Sequence, residues 1–182
     1  MKIRPTAIPD VLEIEPVVHG DPRGFFLESW NQRVFAKAGL DFEFVQDNHS
    51  RSAGGILRGL HYQVDRPQGK LVRVVTGRVY DVAVDVRRSS PTFGRWVGVW
   101  LDCDRSNMLW IPPGFAHGFY VALGGADFVY KCTDFYSPEG ERVIRWDDPH
   151  LGIEWPLAGY APPEVSERDA AGQPFAQAET LP

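Results

Sequence analysis

Hydrophobic and polar positions alternate with a period of two along much of this chain, and the pattern predicts short strands separated by turns. Residues 78–86 set Val79, Asp81, Ala83 and Asp85 against Tyr80, Val82, Val84 and Val86, which reads as a strand with one apolar face. Residues 71–75 form a second β-branched run, and Thr76-Gly77 between the two reads as a hairpin turn. Further short strands are predicted over 96–101, 108–111, 118–121, 128–132 and 142–146, with Gly or Pro in nearly every gap. One early helix is predicted over 31–38, capped by Ser29 or Asn31. Many short strands with regular turns imply an all-β sandwich or barrel, and closing the sheet removes exposed edges. From about residue 161 the chain is rich in Pro, Ala and polar residues. That stretch reads as a loosely structured arm, with one helical turn near Ser166, on a single domain spanning 1–182.

Composition narrows the classes. A length of 182 residues suits one well-cored domain, and 43% hydrophobic with 24% charged residues matches a soluble globular protein. A net charge of −5 argues against a general nucleic-acid binder. Cys103 and Cys132 show neither metal-ligand spacing nor a disulfide framework, so a reducing cytoplasm is expected. The start Met1-Lys2-Ile3-Arg4-Pro5 is not followed by an apolar run, and no stretch approaches the ~20 apolar residues needed to span a bilayer, so neither export nor a membrane partner is expected.

Candidate chemistry centres on His61, in the run Arg58-Gly59-Leu60-His61-Tyr62-Gln63, and on His117, which ends Pro112-Pro113-Gly114-Phe115-Ala116-His117. A metal-binding barrel of this kind wants a second histidine two residues after the first and a carboxylate soon afterwards. Gln63 and Lys70 occupy that stretch, and an amide and an ammonium are poor ligands for a divalent transition metal. A His61 that holds no metal is free to act as a base, although a single histidine in a β-protein is ordinarily a hydrogen-bonded structural residue. On a regular strand His61 and Gln63 share a face, and Arg58 joins them only if Gly59 bulges the strand. Gln46-Asp47-Asn48-His49 reads either as a surface turn or as a ligand contact. Tyr130 lies on the opposite face from Val129 and Lys131 and is either a core residue or a functional one. Arg23, Arg58, Lys70 and Arg145 form a possible phosphate-binding set, though scattered arginines are mostly solvated.

Several ordered blocks resemble one family. Gly20-Asp21-Pro22-Arg23-Gly24-Phe25-Phe26-Leu27-Glu28-Ser29, Gln46-Asp47-Asn48-His49-Ser50, Leu57-Arg58-Gly59-Leu60-His61-Tyr62-Gln63, Gly69-Lys70-Leu71-Val72-Arg73, the segment from Ile111 through His117 to Phe119, Tyr130-Lys131-Cys132-Thr133-Asp134-Phe135-Tyr136 and Ser166-Glu167-Arg168-Asp169 resemble the dTDP-4-dehydrorhamnose 3,5-epimerases. The blocks keep their order from about residue 3 to residue 175. The resemblance implies a cupin-type jelly-roll β-barrel with a few short helices. It also implies a homodimer that uses no cofactor and no metal, and a cytoplasmic role in making dTDP-L-rhamnose for surface polysaccharide. The implied substrate is a dTDP-4-keto-6-deoxy hexose, inverted at C3 and C5.

By the same resemblance His61 is the general base, Asp169 the carboxylate that orients it, Lys70 the cation facing the C4 oxygen and Tyr130 the acid on the opposite face of the sugar. Arg23, Phe26 and Glu28 match residues that reach the nucleotide from the neighbouring subunit. Gln46 and Asn48 match contacts near base and sugar, Arg58 a contact near the substrate, and His117 a polar wall of the pocket. Tyr136 matches an aromatic that stacks on thymine, and Glu141 and Arg168 further nucleotide contacts; Arg168 stands where the family often has lysine. Competing readings are a mono-epimerase of related sugars, a metal-dependent cupin using His61, His117 and His49, and a non-catalytic nucleotide-sugar or glycan-binding barrel.

Overall fold

A computed structural model describes residues 1–157 and 162–182. Eleven strands dominate it: β1 (Lys2–Pro5), β2 (Leu12–Glu15), β3 (Val18–Asp21), β4 (Gly24–Leu27), β5 (Gln46–Ser52), β6 (Leu57–Gln63), β7 (Lys70–Asp85), β8 (Trp96–Asp102), β9 (Met108–Ile111), β10 (Phe115–Cys132) and β11 (Glu141–Val143). Two short helices, α1 (Gln32–Lys37) and α2 (Glu167–Ala170), complete the regular structure with one 3-10 turn at Phe175–Gln177. Helix α1 matches its expectation, and Asn31, not Ser29, is its cap: the Asn31 side chain accepts from the backbone N–H groups of Arg33 and Val34.

The organising feature is the antiparallel pairing of β7 with β10 over almost their whole lengths. The first half of β7 also pairs with β9 and its second half with β8, while the first half of β10 pairs with β6 and its second half with β5. Two long bent strands thus pass from one layer to the other, giving one layer ordered β1-β2-β9-β7-β10-β5 and another ordered β8-β7-β10-β6-β11. This two-layer arrangement is the expected jelly-roll architecture.

The Thr76-Gly77 signal did not produce a hairpin. β7 continues through it without a break, and likewise the predicted strands 118–121 and 128–132 are parts of the single strand β10. Gly77 takes φ +76°, and a Cβ there would lie 2.0 Å from the carbonyl oxygen of Gly125 on the paired strand. Glycine at this point bends both strands together between layers where a reversal was expected. The predicted strand over 142–146 is shorter than expected, ending as β11 at Val143.

Between the layers lies a core that includes Val72, Val74, Val79, Ala83, Leu109, Ile111, Phe115, Phe119 and Phe128. A second cluster, with Leu60, Val82, Val84 and Ile144, packs on the far side of the β8–β11 layer against Trp155, Phe175 and Leu181. Both faces of residues 79–85 are therefore covered, which corrects the one-faced reading of that strand. Val82 and Val84 meet the C-terminal segment, whereas Val79, Asp81 and Ala83 are turned the other way. A third cluster, with Ile14, Leu71, Met108 and Trp110, is covered by Phe35 of α1 and by Phe42 and Phe44.

The C-terminal segment is not loose. Its sequence-based boundary at Ala161 lies outside the described residues, but beyond it Glu164 bridges Ile56, Gln173 bridges Ile144 and Leu181 bridges Arg87. The backbone N–H of Leu57 donates to the Glu164 carbonyl at 2.9 Å, and that of Arg88 to the Leu181 carbonyl at 2.8 Å. The helical turn expected near Ser166 is α2, capped by the Ser166 hydroxyl, which accepts from the Asp169 backbone at 3.1 Å. Among the described residues no helix is long and apolar enough to cross a membrane.

Candidate active site

The mouth of the barrel, between the paired halves of β5, β6, β7 and β10, holds two adjoining cavities. One, of about 220 Å³, is lined by Gln46, Asn48, His61, Gln63, Lys70, Tyr130, Tyr136 and Glu141 among others. The other, of about 170 Å³, is lined by Ser50, Arg58, His61, Lys70, His117 and Tyr130 with the apolar Phe119 and Phe128. His61, Lys70 and Tyr130 line both, so they stand where the two meet.

Strand alternation explains the lining. On β5, Gln46, Asn48 and Ser50 turn inward, while Asp47 and His49 line an outer groove with Leu71, Arg73, Val129 and Lys131. The segment 46–49 is therefore neither a turn nor wholly a ligand contact: every second residue reaches the cavity. His49 bonds to Asp127 at 3.0 Å and does not join His61 and His117, which removes it from any three-histidine metal set. Among the described residues the one cluster of three metal-capable groups is Asp102, Cys103 and Asp104, at the end of β8.

On β6 the anticipated bulge is present. His61 pairs with His117, and Arg58 pairs with Phe119, so three steps on β6 match two on β10. The extra residue brings Arg58 into phase with His61. Gly59 makes this possible at φ +119°, because a Cβ there would lie 2.5 Å from the Cα of Gly118. Gln63 is fully engaged in holding loops: its amide N–H group donates to the carbonyls of Arg66 and Phe135, and its oxygen accepts from the backbone of Ser137.

Each histidine in the cavity has its own carboxylate. Nε2 of His61 lies 2.6 Å from Oδ1 of Asp169, delivered by α2 from 108 residues away. The His61 side chain keeps 31% of its surface open while Asp169 keeps 4%, so the imidazole faces the cavity and the carboxylate stands behind it. Burial pushes the Asp169 carboxyl up, but the hydrogen bond and charge of His61, the Gly59 N–H and the Ser166 hydroxyl outweigh it and hold it below the ordinary value. Nε2 of His117 lies 3.0 and 2.9 Å from the two oxygens of Asp81, a residue with no exposed surface. Asp81 is a site residue not expected from the sequence, where its one signal is a carboxylate in the middle of an apolar strand.

Two cations reach the cavity without a carboxylate partner among the described residues: Lys70, and Arg58, whose Nε donates to the Ser52 hydroxyl at 3.0 Å. Burial lowers the Lys70 pKa, an effect opposed by Cys132, Glu141 and Asp81. Burial raises the Tyr130 phenol, and Cys132 and Glu141 reinforce the rise against the nearby charge of Arg58. At the outer rim Tyr136 donates to Glu141 at 2.5 Å, and Arg168 pairs with the same carboxylate.

The cavity thus gathers His61, Lys70, Tyr130, Gln46, Asn48, Arg58, His117, Tyr136 and Glu141, with Asp169 and Arg168 bonded to its walls. Arg23, Phe26 and Glu28 are not brought to it within one chain. Arg23 bonds to Asp21 on the separate two-stranded β3–β4 sheet, where Phe26 is 68% exposed, and Glu28 accepts from Asn31. Arg145 pairs with Asp147 and does not line the cavity, so the four-cation phosphate set does not assemble. Only Arg58 and Lys70 of that set share the site.

A family model described as dTDP-4-dehydrorhamnose 3,5-epimerase matches residues 5–177. A dTDP-4-dehydrorhamnose 3,5-epimerase of Pseudomonas aeruginosa is 57% identical, with all of both chains covered. The crystal structure of dTDP-6-deoxy-D-glucose-3,5-epimerase from Legionella pneumophila, in complex with dTDP-4-keto-L-rhamnose, is 50% identical. It superposes with a TM-score of 0.94 over 98% of this chain and 94% of the other. A 3'-monoepimerase from Streptomyces bikiniensis in complex with dTDP-quinovose is 37% identical, with a TM-score of 0.87 over 94% and 87% of the two chains.

Proposed function

The chain belongs to the dTDP-4-dehydrorhamnose 3,5-epimerase family, a family of carbohydrate isomerases, and from that premise we propose how its own residues carry the reaction. The substrate is dTDP-4-dehydro-6-deoxy-D-glucose, and the protons removed are those on C3 and C5, which flank the C4 ketone. His61 takes the proton from C5, the electron pair moves into the C4–C5 bond, and the C4 oxygen becomes an enolate oxyanion. Lys70 faces that oxygen and stabilises the charge as it develops, an effect worth about 3 kcal/mol for a well-placed donor. Tyr130 delivers its phenolic proton to C5 from the opposite face, which inverts the carbon; solvent then reprotonates the phenolate and removes the proton from His61. His61 removes the C3 proton in the same way, and its replacement from the opposite face gives dTDP-4-dehydro-L-rhamnose.

The observation that carries this reading is the 2.6 Å His61–Asp169 contact beside a cavity that His61 shares with Lys70 and Tyr130. Asp169 favours the imidazolium that forms on proton abstraction. The burial that raises the Tyr130 pKa keeps the phenol protonated and able to donate. Keto-enolate chemistry with an imidazole, an ammonium and a phenol needs no metal or organic cofactor. Gln46, Asn48, Arg58, His117, Tyr136, Glu141 and Arg168 bind the nucleotide sugar, with Tyr136 against the thymine.

The working form is a homodimer in the cytoplasm. Arg23, Phe26 and Glu28 lie away from their own chain's cavity. Phe25 and Phe26, on a sheet of two strands only, expose 69% and 68% of their surface, as suits an arm that lies against a second copy. Both cysteines are free, in keeping with a reducing compartment.

Proton NMR of the wild type with dTDP-4-dehydro-6-deoxy-D-glucose in deuterated water tests the assignment. Deuterium enters both C3 and C5 on this reading. Entry at one carbon alone makes the protein a mono-epimerase, and entry at neither overturns it.

A further inference from the structure

Asp81 is a buried carboxylate that the epimerisation scheme leaves unused. It lies in β7, and both of its oxygens are within hydrogen-bond distance of Nε2 of His117 on the neighbouring strand β10. His117 is paired across β10–β6 with His61, so two histidine–carboxylate pairs stand side by side, Asp169 behind one and Asp81 behind the other. A carboxylate only accepts, so the proton of this contact sits on Nε2, and Nδ1 is the one ring nitrogen of His117 left for anything in the cavity. A neutral His117 in this tautomer is an acceptor, suited to a sugar hydroxyl.

We propose that Asp81 is a positioning residue for the epimerisation: it fixes the tautomer of His117 and supplies the buried countercharge that keeps Lys70 an ammonium. The inference rests on the reading of Lys70 as the cation at the C4 oxygen. Burial favours the neutral imidazole of His117, and the charge of Lys70 opposes its protonation as well. Burial also raises the Asp81 carboxyl, against the pull of His117 and Lys70. With the proton on Nε2 of His117 and its own carboxyl ionised, a form favoured by the hydrogen bond from His117 and the charge of Lys70, Asp81 sets one negative charge against the positive charge of Lys70. The other ionisable groups around the three are His61 and Arg58 of β6, Cys132 and Tyr130 of β10, and Glu141 of β11. Of these, Cys132 is held protonated by burial and Glu141 is paired with Arg168, which leaves Asp81 as the carboxylate near Lys70 that has no arginine or other lysine partner among the described residues.

Two measurements test this. Nitrogen-15 spectra of the histidine-labelled protein, with a His117→Gln variant to identify the signal, report the His117 tautomer without substrate. The expected wild-type state at neutral pH is uncharged with the proton on Nε2. In Asp81→Asn that tautomer is lost, the alkaline limb of kcat/KM moves to lower pH, and kcat falls about tenfold or more with little change in KM. A wild-type His117 that is an imidazolium or carries its proton on Nδ1 overturns the proposal, as does a folded Asp81→Asn variant with the wild-type tautomer and limb. Should Asp81→Asn fail to fold, His117→Gln decides. It retains Asp81, so the alkaline limb stays in place while kcat falls, and a limb displaced to lower pH contradicts the countercharge. A wild type that turns over no nucleotide sugar defeats the functional reading, while the tautomer still answers for Asp81.

Discussion

Asp169 reaches His61 across 108 residues of chain, and the two meet at 2.6 Å only because α2 is pinned against β6. One Asp169 oxygen takes the imidazole while the other accepts from the Gly59 backbone at 3.3 Å, and the Ser166 hydroxyl caps the turn. The proposed base is therefore oriented by α2, far along the chain from it. Asp169→Asn keeps the shape and removes the charge that favours the imidazolium. Its kcat is expected to fall by about 10²- to 10⁴-fold, with unchanged binding of the product nucleotide sugar measured by calorimetry.

The proposed role of Lys70 assigns it the alkaline side of the pH profile. Burial lowers its pKa from the ordinary 10.5, and the Tyr130 phenol is raised above its ordinary 10.0. In the proposed role Lys70 must be protonated, so activity is lost as pH rises through the lowered Lys70 value, and kcat/KM is expected to decline before pH 10.5 is reached. In Lys70→Arg, whose guanidinium stays charged, that limb moves to higher pH although the absolute rate is reduced.

Tyr130→Phe separates proton removal from inversion. With His61 and Asp169 intact, deuterium still enters from solvent, but the donor on the opposite face is gone. Mass and NMR analysis should find deuterated substrate of unchanged configuration at C5 and at least tenfold less inverted product, about the lower end of what a positioned acid contributes.

Stability at low pH turns on Asp85. Its buried carboxylate accepts from the Arg87 guanidinium at 2.7 Å and from the Ser90 and Thr92 hydroxyls at 2.6 Å each. Burial acts to raise its pKa, but these bonds outweigh it and bring the value to about 2 against an ordinary 3.8. A depressed carboxylate stabilises the fold above its unfolded value and loses that contribution as pH falls through the folded value. Denaturant titrations of Asp85→Asn should show a loss of about 2 kcal/mol at neutral pH that shrinks between pH 3.8 and about 2.

The neighbouring-subunit role of Arg23 has a complementation test. Arg23→Ala and His61→Asn are each expected to be poorly active at low substrate. Mixed and allowed to exchange subunits, they form heterodimers in which one site has both native residues if Arg23 acts across the interface. Recovered activity in the mixture supports that geometry, and none contradicts it.

The residues that alternate were readable from the sequence, and the places where alternation breaks were less so. Phe119 and Phe128 fall on one inner face, and the Gly59 bulge that puts Arg58 beside His61 was foreseeable because the residues were out of step by one. Thr76-Gly77 misled, since a glycine that reverses the chain and one that bends a continuous strand leave the same local signal. What decides between them is Gly125, about fifty residues away on the partner strand. Asp81 has the sequence signature of the polar face of a half-covered strand, because nothing in residues 78–86 reveals that the C-terminal segment covers the opposite side. His49 looked equivalent to its neighbours and is removed from the site by strand parity alone.

The central claim is that His61 is the base for both carbons, and His61→Ala tests it most directly. The folded variant is incubated in deuterated water with dTDP-4-dehydro-6-deoxy-D-glucose, and C3 and C5 are followed by proton NMR. The account predicts no enzyme-dependent deuterium at either carbon. Exchange at both carbons at the wild-type rate would contradict it.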